Sequence, residues 1–321
     1  AILPVLGELI ADWRIIRDVA WRLGFKEAFD YDGPQDVFAE YIALNAATSE
    51  FPRDLDLSVF ADADYAKLVP TQWPRNGHRF FADGQFFQPD GKARMIPVIA
   101  PEQTRTRFTL NTGRNRDQWH TMTRTGKSPR LGAHLAEPYV EMHPDDAREL
   151  DAKPGDLIAV ESLYGRTILR ALITPRSGHG QLFAPMHWTR QRSSLGTVNS
   201  MTAPVTDAFS GQPAFKAGSV TAAVYKPKWF GFLACADEPT PQTPYAAVAR
   251  TRTGWQVEMA SNKMPDDWDA EESRLSGLSK GEFSAQIDPA TGSVRIAVTQ
   301  GGVITGLFFA SSEPVVISRS A

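Results

Sequence analysis

Hydrophobic positions near the start of the chain return at three- and four-residue intervals. Leu9, Ile10, Trp13, Ile16, Val19, Ala20 and Leu23 form the series, with Asp12, Arg14, Arg17, Asp18 and Arg22 between them and Gly24 as a stop. That spacing predicts a helix with one apolar face. Pro34 suits the first turn of a second helix, which runs through Val37, Phe38, Tyr41 and Ile42. Both helices need a partner surface. From Phe51 to Gln103 the pattern breaks up, because Pro52, Pro70, Pro74, Pro89 and Pro97 interrupt any long element; Asp62, Asp64 and Tyr65 suggest one short helix. Arg79 to Lys92 carries four Phe and is expected to form a small hairpin or an aromatic arm.

Beyond residue 130 the period shortens to that of strands separated by turns, as in a compact β-barrel with few helices. Strands are expected at 139–142, 157–162, 167–173 and 181–185, with a short helix from His143 to Leu150 in which His143 caps or turns. The strand at 181–185 delivers His187 and Trp188 to a long polar loop, 189–219, of a length usually associated with ligand contacts. A strand at 218–225 closes this unit. Pro227 to Pro244 is expected to be a linker. Strands are expected within Tyr245–Ala260 and Ser293–Ser311, the latter turning at Gly301-Gly302. The acids from Asp266 to Glu272 suggest a solvated helix start between them.

Composition narrows the function classes. The chain has 321 residues, 42% hydrophobic and 22% charged, ordinary values for a globular protein. Its net charge of −3 argues against a general nucleic-acid binder. No apolar run is long enough for a membrane span, and the opening residues do not suit a signal peptide, so a cytoplasmic location is expected. The first residue is Ala rather than Met, which suggests a fragment or a processed product. The single cysteine, Cys235, excludes a disulfide framework or a four-cysteine metal site within this chain; its apolar neighbours suit an inert buried thiol. The six histidines show no HExxH or HxH spacing, and no Walker A, GxSxG or GxGxxG motif occurs, so no catalytic or protein-ligated metal site is expected.

One stretch departs from the overall charge. Between Arg105 and Arg130 there are seven cations (Arg105, Arg107, Arg114, Arg116, Arg124, Lys127 and Arg130) and one acid, Asp117, with six threonines, two glycines, Trp119 and His120 among them. Cations, hydroxyl donors, ring surfaces and accessible backbone together suit a phosphorylated ligand. A charge run by itself reads more readily as a solvated basic loop.

Four segments in order decide between these readings: NTGR…QWHTMTRTG, EMHPDDARELDAKPGDLIAVESLYGRTILRALIT, GQLFAPMHW and VNSMT…DAFSGQPAFK. Together they resemble the molybdopterin-dinucleotide-binding domain of molybdenum oxidoreductases related to dimethyl sulfoxide reductase. QWHTMTRTG, the preceding FADGQFFQPDGKARMIPV and the tail after residue 227 are similar to assimilatory nitrate reductase catalytic subunits. The resemblance implies a mixed α/β, mainly β chain: a double-psi β-barrel of the aspartate-decarboxylase-like kind, with an N-terminal helical segment and a small C-terminal α+β tail. It divides the chain into 1–75, the helical end of a preceding domain; 76–103, an aromatic arm or linker; 104–226, the barrel; 227–244, a linker; and 245–321, the tail.

The resemblance also implies a molybdenum bis-molybdopterin guanine dinucleotide cofactor, held by Asn111, Thr112, Gly113, Arg114, Gln118, Trp119, His120, Thr121, Thr123, His187, Asn199 and Lys216. Arg114 offers a planar fork for pyrophosphate, Asn199 a donor and an acceptor side by side, and Lys216 a point charge. The [4Fe-4S] cluster and the molybdenum ligand of such enzymes have no counterpart here and are expected in a missing N-terminal part. The implied partners are the cofactor, that remainder of the enzyme and an electron donor protein or reductase subunit, with no nucleic acid and no membrane. Nitrate reduction is the implied activity, the fragment itself being inactive. A formate dehydrogenase or another molybdopterin oxidoreductase, and a stand-alone non-enzymatic binding module, remain as alternatives.

Overall fold

The computed structural model describes residues 7–47, 57–71, 79, 81–97, 106–268, 270–271 and 281–319. The chain divides into two compact units, Ala1–Ala100 and Pro101–Ala321.

In the first unit, α1 (Asp12–Arg22) and α2 (Pro34–Ala47) occupy the expected positions. The inward side of α1 is not the whole apolar series. Ala20 is buried, and the guanidinium of Arg17 lies over the rings of Trp13 and Trp21 at 5.4 and 4.5 Å while its Nη1 donates to the Tyr31 carbonyl at 2.8 Å. Ile16, Val19 and Leu23 stay 60%, 52% and 69% exposed, so much of the predicted apolar face is open. Helix α2 buries Ile42 and sets Phe38 against the rings of Phe60 and Tyr65. Asp64 caps a single turn at Tyr65–Lys67. The described part of the 79–92 segment contains no strand. Phe81 stacks on Phe86 at 4.9 Å and meets the edge of Phe87, and the Phe86 N–H donates to the Gly91 carbonyl, so the rings cover one another around a turn. Phe80 lies outside the described residues.

The second unit begins with six strands in a closed barrel. They are β1 (Phe108–Gly113), β2 (Tyr139–Met142), β3 (Leu157–Glu161), β4 (Arg166–Ile173), β5 (Gln181–Pro185) and β6 (Gly218–Val224), in the order β1-β5-β2-β4-β3-β6. The pairs β1/β5 and β2/β4 are parallel and the remaining pairs antiparallel. The mainly β architecture agrees with the expected double-psi barrel. Alternation fills the interior: Phe108 and Leu110 from β1, Val140 and Met142 from β2, Ile158 and Val160 from β3, and Leu169 and Ala171 from β4 form one buried cluster. The turn α3 (Pro129–Gly132) and the helix α4 (Pro144–Glu149) are the only α-helical pieces here among the described residues. His143 caps α4 as expected, its ring nitrogen accepting from the Asp145 N–H. Strand β1 was not expected, since Asn111-Thr112-Gly113 reads as polar loop.

A six-stranded sheet follows, made of β7 (Trp229–Cys235), β8 (Tyr245–Arg250), β9 (Trp255–Ser261), β10 (Glu282–Asp288), β11 (Ser293–Gln300) and β12 (Val303–Ser311), in the order β10-β11-β12-β7-β9-β8. One expectation changes here. The supposed linker 227–244 contains β7, which pairs with both β9 and β12 near the middle of the sheet. Its sequence WFGFLAC lacks alternation because most of its residues, on both faces, are buried. Of the acidic run, Asp269 and Glu272 lie outside the described residues; the Glu271 N–H donates to the Asp267 carbonyl at 3.1 Å, one helical turn.

Cys235 is buried in this sheet, and its thiol donates to the Asp237 carbonyl at 3.2 Å, in keeping with an inert role. Close approach is enforced beside it. A Cβ on Gly254 would lie 2.2 Å from the Cys235 carbonyl oxygen, a backbone atom that cannot swing aside. Gly254→Ala is therefore expected to cost about 1–3 kcal/mol, measured by urea unfolding, with the β8–β9 turn displaced.

The barrel and the sheet share a further buried cluster, in which Leu157, Ala159 and Ile168 meet Tyr225, Tyr245 and Ala260. Arg192 crosses the same joint: it pairs with Glu238 at 2.8 Å, its guanidinium lies over Trp255, and its carbonyl accepts from the Val248 N–H.

Candidate functional site

Strand directions assemble the site. With β1 parallel to β5, β2 parallel to β4, and β3 and β6 antiparallel to their neighbours, one end of the barrel collects the C-terminal ends of β1, β3 and β5 and the N-terminal ends of β2, β4 and β6. Gly113, Pro185 and Gly218 therefore open toward the same rim. Arg114 to Thr125 leaves from β1 there, Met186 to Trp188 from β5, and Phe215 to Ala217 arrives at β6.

These segments are bonded to one another. Gly113 pairs with Pro185 in register, and its carbonyl accepts from the Met186 N–H at 2.8 Å. A Cβ at 113 would sit 2.6 Å from the Phe183 ring, so a larger residue there would require that ring to move. Thr112 donates its hydroxyl to the Phe215 carbonyl at 2.8 Å, the Asn111 side chain accepts from the Ala217 N–H at 3.2 Å, and the Lys216 ammonium donates to the Thr112 carbonyl. Asn111, Thr112 and Gly113 thus act first as the framework of the rim. The Lys216 side chain is held at the end of β1 by this bond.

The Arg114–Thr125 segment is tightly turned. His120 and Met122 both take left-handed backbone conformations, with φ of 43° and 61°. Such angles cost about 1–3 kcal/mol each in a residue other than glycine and persist where the surroundings impose them. Met122 is buried, and its N–H and carbonyl bond to Trp119 and Gly126. Gln118 is buried as well: its side-chain oxygen accepts from the Thr125 hydroxyl at 2.7 Å, and its N–H donates to the Asn115 side chain at 3.0 Å. Outward stand Trp119, 60% exposed, the Arg114 guanidinium 5.7 Å from its ring centre, and the paired hydroxyls of Thr121 and Thr123. Arg114, the Trp119 ring, Thr121 and Thr123 are therefore presented to a ligand. His120 also faces outward, its ring on the edge of Trp119.

His187 requires a correction. It was expected to contact the cofactor, yet it is 0% exposed with both ring nitrogens engaged. Nε2 accepts from the Asn115 N–H at 2.9 Å, and Nδ1 donates to the His120 carbonyl at 2.7 Å. Burial lowers its pKa, with the charges of Arg114 and His120 adding to that and the bond to the His120 carbonyl opposing it. No polar edge is left for a ligand.

The basic stretch is also divided. Arg107 lies at the other end of β1 and pairs with Glu149, Arg116 pairs with Asp117, and Arg105 is outside the described residues. Among the described residues, Arg114, Arg124, Lys127 and Arg130 have no carboxylate in an ion pair. Asn199 sits on the helical turn Val198–Met201, whose Val198 and Met201 plug the barrel core and whose Ser200 packs against Gly165, so it too belongs to this end. Its side-chain oxygen is buried without a partner, as are Asn115 Nδ2, Gln118 Nε2 and Thr197 Oγ1. Buried polar atoms are ordinarily satisfied, so this group marks a surface built to be completed by something polar. Asn115 and Thr197 were not singled out from the sequence; only their burial distinguishes them from other loop residues.

Comparison with known proteins bears on what completes it. Residues 108–219 match the Molydopterin dinucleotide binding domain, a span that runs from the start of β1 into the first residues of β6. Through residues 108–219 the chain carries a molybdopterin dinucleotide-binding domain. Relatives include a nitrate reductase of Klebsiella oxytoca, 40% identical over 243 residues, which are 73% of this chain and 28% of that protein. A nitrate reductase of Shewanella frigidimarina is 32% identical over 252 residues, 67% of this chain and 27% of that one. A formate dehydrogenase subunit alpha of Methanocaldococcus jannaschii is 28% identical over 205 residues, 61% of this chain and 29% of that one. The chain thus spans less than a third of the length of these molybdopterin relatives. Among the described residues no helix is long and apolar enough to cross a membrane, and no group of three metal-ligating side chains occurs. The residues present fit a molybdopterin dinucleotide: unpaired cations for its phosphates, ring surfaces, and buried amide atoms awaiting partners.

Proposed function

We propose that this chain is the cofactor-capping part of a molybdenum nitrate reductase, binding molybdopterin guanine dinucleotide across the rim of the barrel. The single observation that carries the reading is the convergence of Arg114, Trp119, Asn199 and Lys216 on one barrel end with buried amide atoms that lack partners. Arg114 would grip the pyrophosphate bidentately, Lys216 would supply a second positive charge, and Asn199 with Gln118 would read the edge of the base. Trp119 and His120 would cover the ligand's rings, with Thr121 and Thr123 donating hydroxyls to it. When bound, the cofactor supplies the molybdenum at which nitrate is reduced to nitrite. Residues of this chain hold and orient it and exclude water.

Large apolar side chains are exposed on turns at the same end, Leu163 at 87% and Tyr164 at 53% between β3 and β4, and Phe209 at 77% ahead of β6. That composition suits contact with the remainder of the enzyme, which would also house any iron-sulfur cluster, with an electron donor protein beyond it and the whole in the cytoplasm. Nitrate is preferred over formate because the nitrate reductase likeness is the stronger, 40% identity against 30% for a putative formate dehydrogenase.

Calorimetry of the full chain with GDP tests the binding role. GDP is expected to bind more tightly than ADP, and Arg114→Ala to weaken it about 10- to 100-fold, the value of one charge-assisted bond of about 1.5–3 kcal/mol. Equal binding of GDP and ADP, or an Arg114→Ala protein indistinguishable from the parent, would sink the assignment.

A further inference from the structure

We propose that His187 is a positioning residue, a neutral latch that fastens the Arg114–Met122 segment to the barrel and itself touches no ligand. The segment's use rests on the cofactor reading above; the latch is a property of the chain alone.

The geometry is specific. His187 follows β5 by two residues, so the barrel fixes its ring, while the atoms it bonds belong to the loop that leaves β1. One nitrogen takes the Asn115 N–H and the other gives its proton to the His120 carbonyl, and these two groups bracket Arg116 to Trp119. The His120 backbone is left-handed, with φ of 43°, and in that conformation its carbonyl meets the ring. Releasing the ring would remove the support for that angle. Gln118 and Asn115, joined by the bond from the Gln118 N–H, would move together, and the Arg114–Trp119 contact would loosen.

Only one ionisation and tautomer state satisfies both bonds: neutral, with the proton on Nδ1. A second proton would go to Nε2 and point at the Asn115 N–H, replacing an acceptor by a donor. The charged or titratable groups facing the ring are Arg114 and His120, both of which disfavour that proton, as does burial. The pKa in the folded chain therefore lies below the ordinary histidine value of about 6.5. A base with a depressed folded pKa contributes stability that is fully present above the unfolded value and is lost as pH falls from about 6.5 toward the folded value. The latch should hold at neutral pH and open on acidification.

Nitrogen-15 NMR of the full chain tests this without any variant. At pH 8 the His187 ring is expected as the Nδ1–H tautomer. On acidification it should titrate below pH 6.5, and the amide signals of Asn115 and Gln118 should shift with the same midpoint. An Nε2–H tautomer, or an Asn115 amide that ignores the titration, would overturn the latch. His187→Phe, which fills the volume without bonding, should abolish the pH response and lower GDP affinity about tenfold. His187→Gln, which retains a donor and an acceptor, should recover most of the affinity yet show no titration. GDP binding that is unchanged in His187→Phe would refute the positioning role. If the parent chain bound no GDP while the coupled titration was observed, the latch would stand and the cofactor reading would fall.

Discussion

Glu137→Ala is expected to destabilise the second unit by about 3 kcal/mol. Glu137 sits just before β2, at the joint between barrel and sheet. One of its oxygens accepts from the Tyr245 hydroxyl and from Arg170 at Nη2 and at Nε, the last at 3.0 Å. Arg170 also donates to the Gly155 carbonyl at 3.0 Å and lies 5.3 Å from the centre of the Tyr245 ring. Burial and the charge of Glu137 push the Tyr245 hydroxyl well above its ordinary pKa, so it stays protonated and goes on donating. Removing the carboxylate would leave the guanidinium with only the Gly155 carbonyl and the phenol without its acceptor in a largely apolar joint. Breaking one side of a buried pair typically costs about 3–5 kcal/mol, and the 24% and 22% accessibility of the Glu137 and Arg170 side chains places this case at the lower end. Urea unfolding should show the loss, with Glu137→Gln milder because it keeps an acceptor. A change below about 1 kcal/mol would mean that the joint depends on its apolar cluster instead.

Trp229→Ala should cost still more, about 3–5 kcal/mol. Trp229 is 1% exposed at the start of β7, its ring edge against Trp268 at 5.3 Å and Phe308 at 6.4 Å, and its ring N–H donates to the Lys263 carbonyl at 2.7 Å. The substitution would open a cavity in the core of the sheet and strip that carbonyl of its donor. Trp119→Ala is the internal comparison: the same deletion at a ring 60% exposed should change stability by no more than about 0.5 kcal/mol while weakening GDP binding. Equal unfolding midpoints for the two proteins would contradict the placement of both rings.

Much of this architecture could be read from residue patterns, for reasons visible at particular positions. Strands β2 to β6 were legible because turn residues such as Lys153-Pro154-Gly155-Asp156 bracket short apolar runs, and α4 because His143-Pro144 begins it. Strand β1 was missed because its exit, Asn111-Thr112-Gly113, has the composition of a loop and becomes strand only through parallel pairing with β5. Strand β7 was missed because a run buried on both faces shows no alternation. At the site, residue chemistry and motif order single out Arg114, Trp119 and Lys216, and the fold brings these three to one end of the barrel. The part played by His187 was not legible, since the same imidazole suits a ligand contact or a structural bond, and only its complete burial between Asn115 and His120 decides. Arg107 was counted with its neighbours in sequence although the strand carries it to the opposite end.

Closure of the barrel has a kinetic consequence. Neither neighbour of β1 is close to it in sequence: Thr109 pairs with Gln181, and Phe108 with Val220. Contacts so distant along the chain form slowly, because the entropy of closing long loops is lost before any pairing energy returns. A nascent chain interrupted before Phe215 would already contain Arg114 and His187, but not Lys216 or the second edge that holds β1 in place. Competence to bind a nucleotide should therefore appear late and all at once during refolding, in step with the slowest phase, which makes nucleotide binding a reporter of when the chain has finished folding.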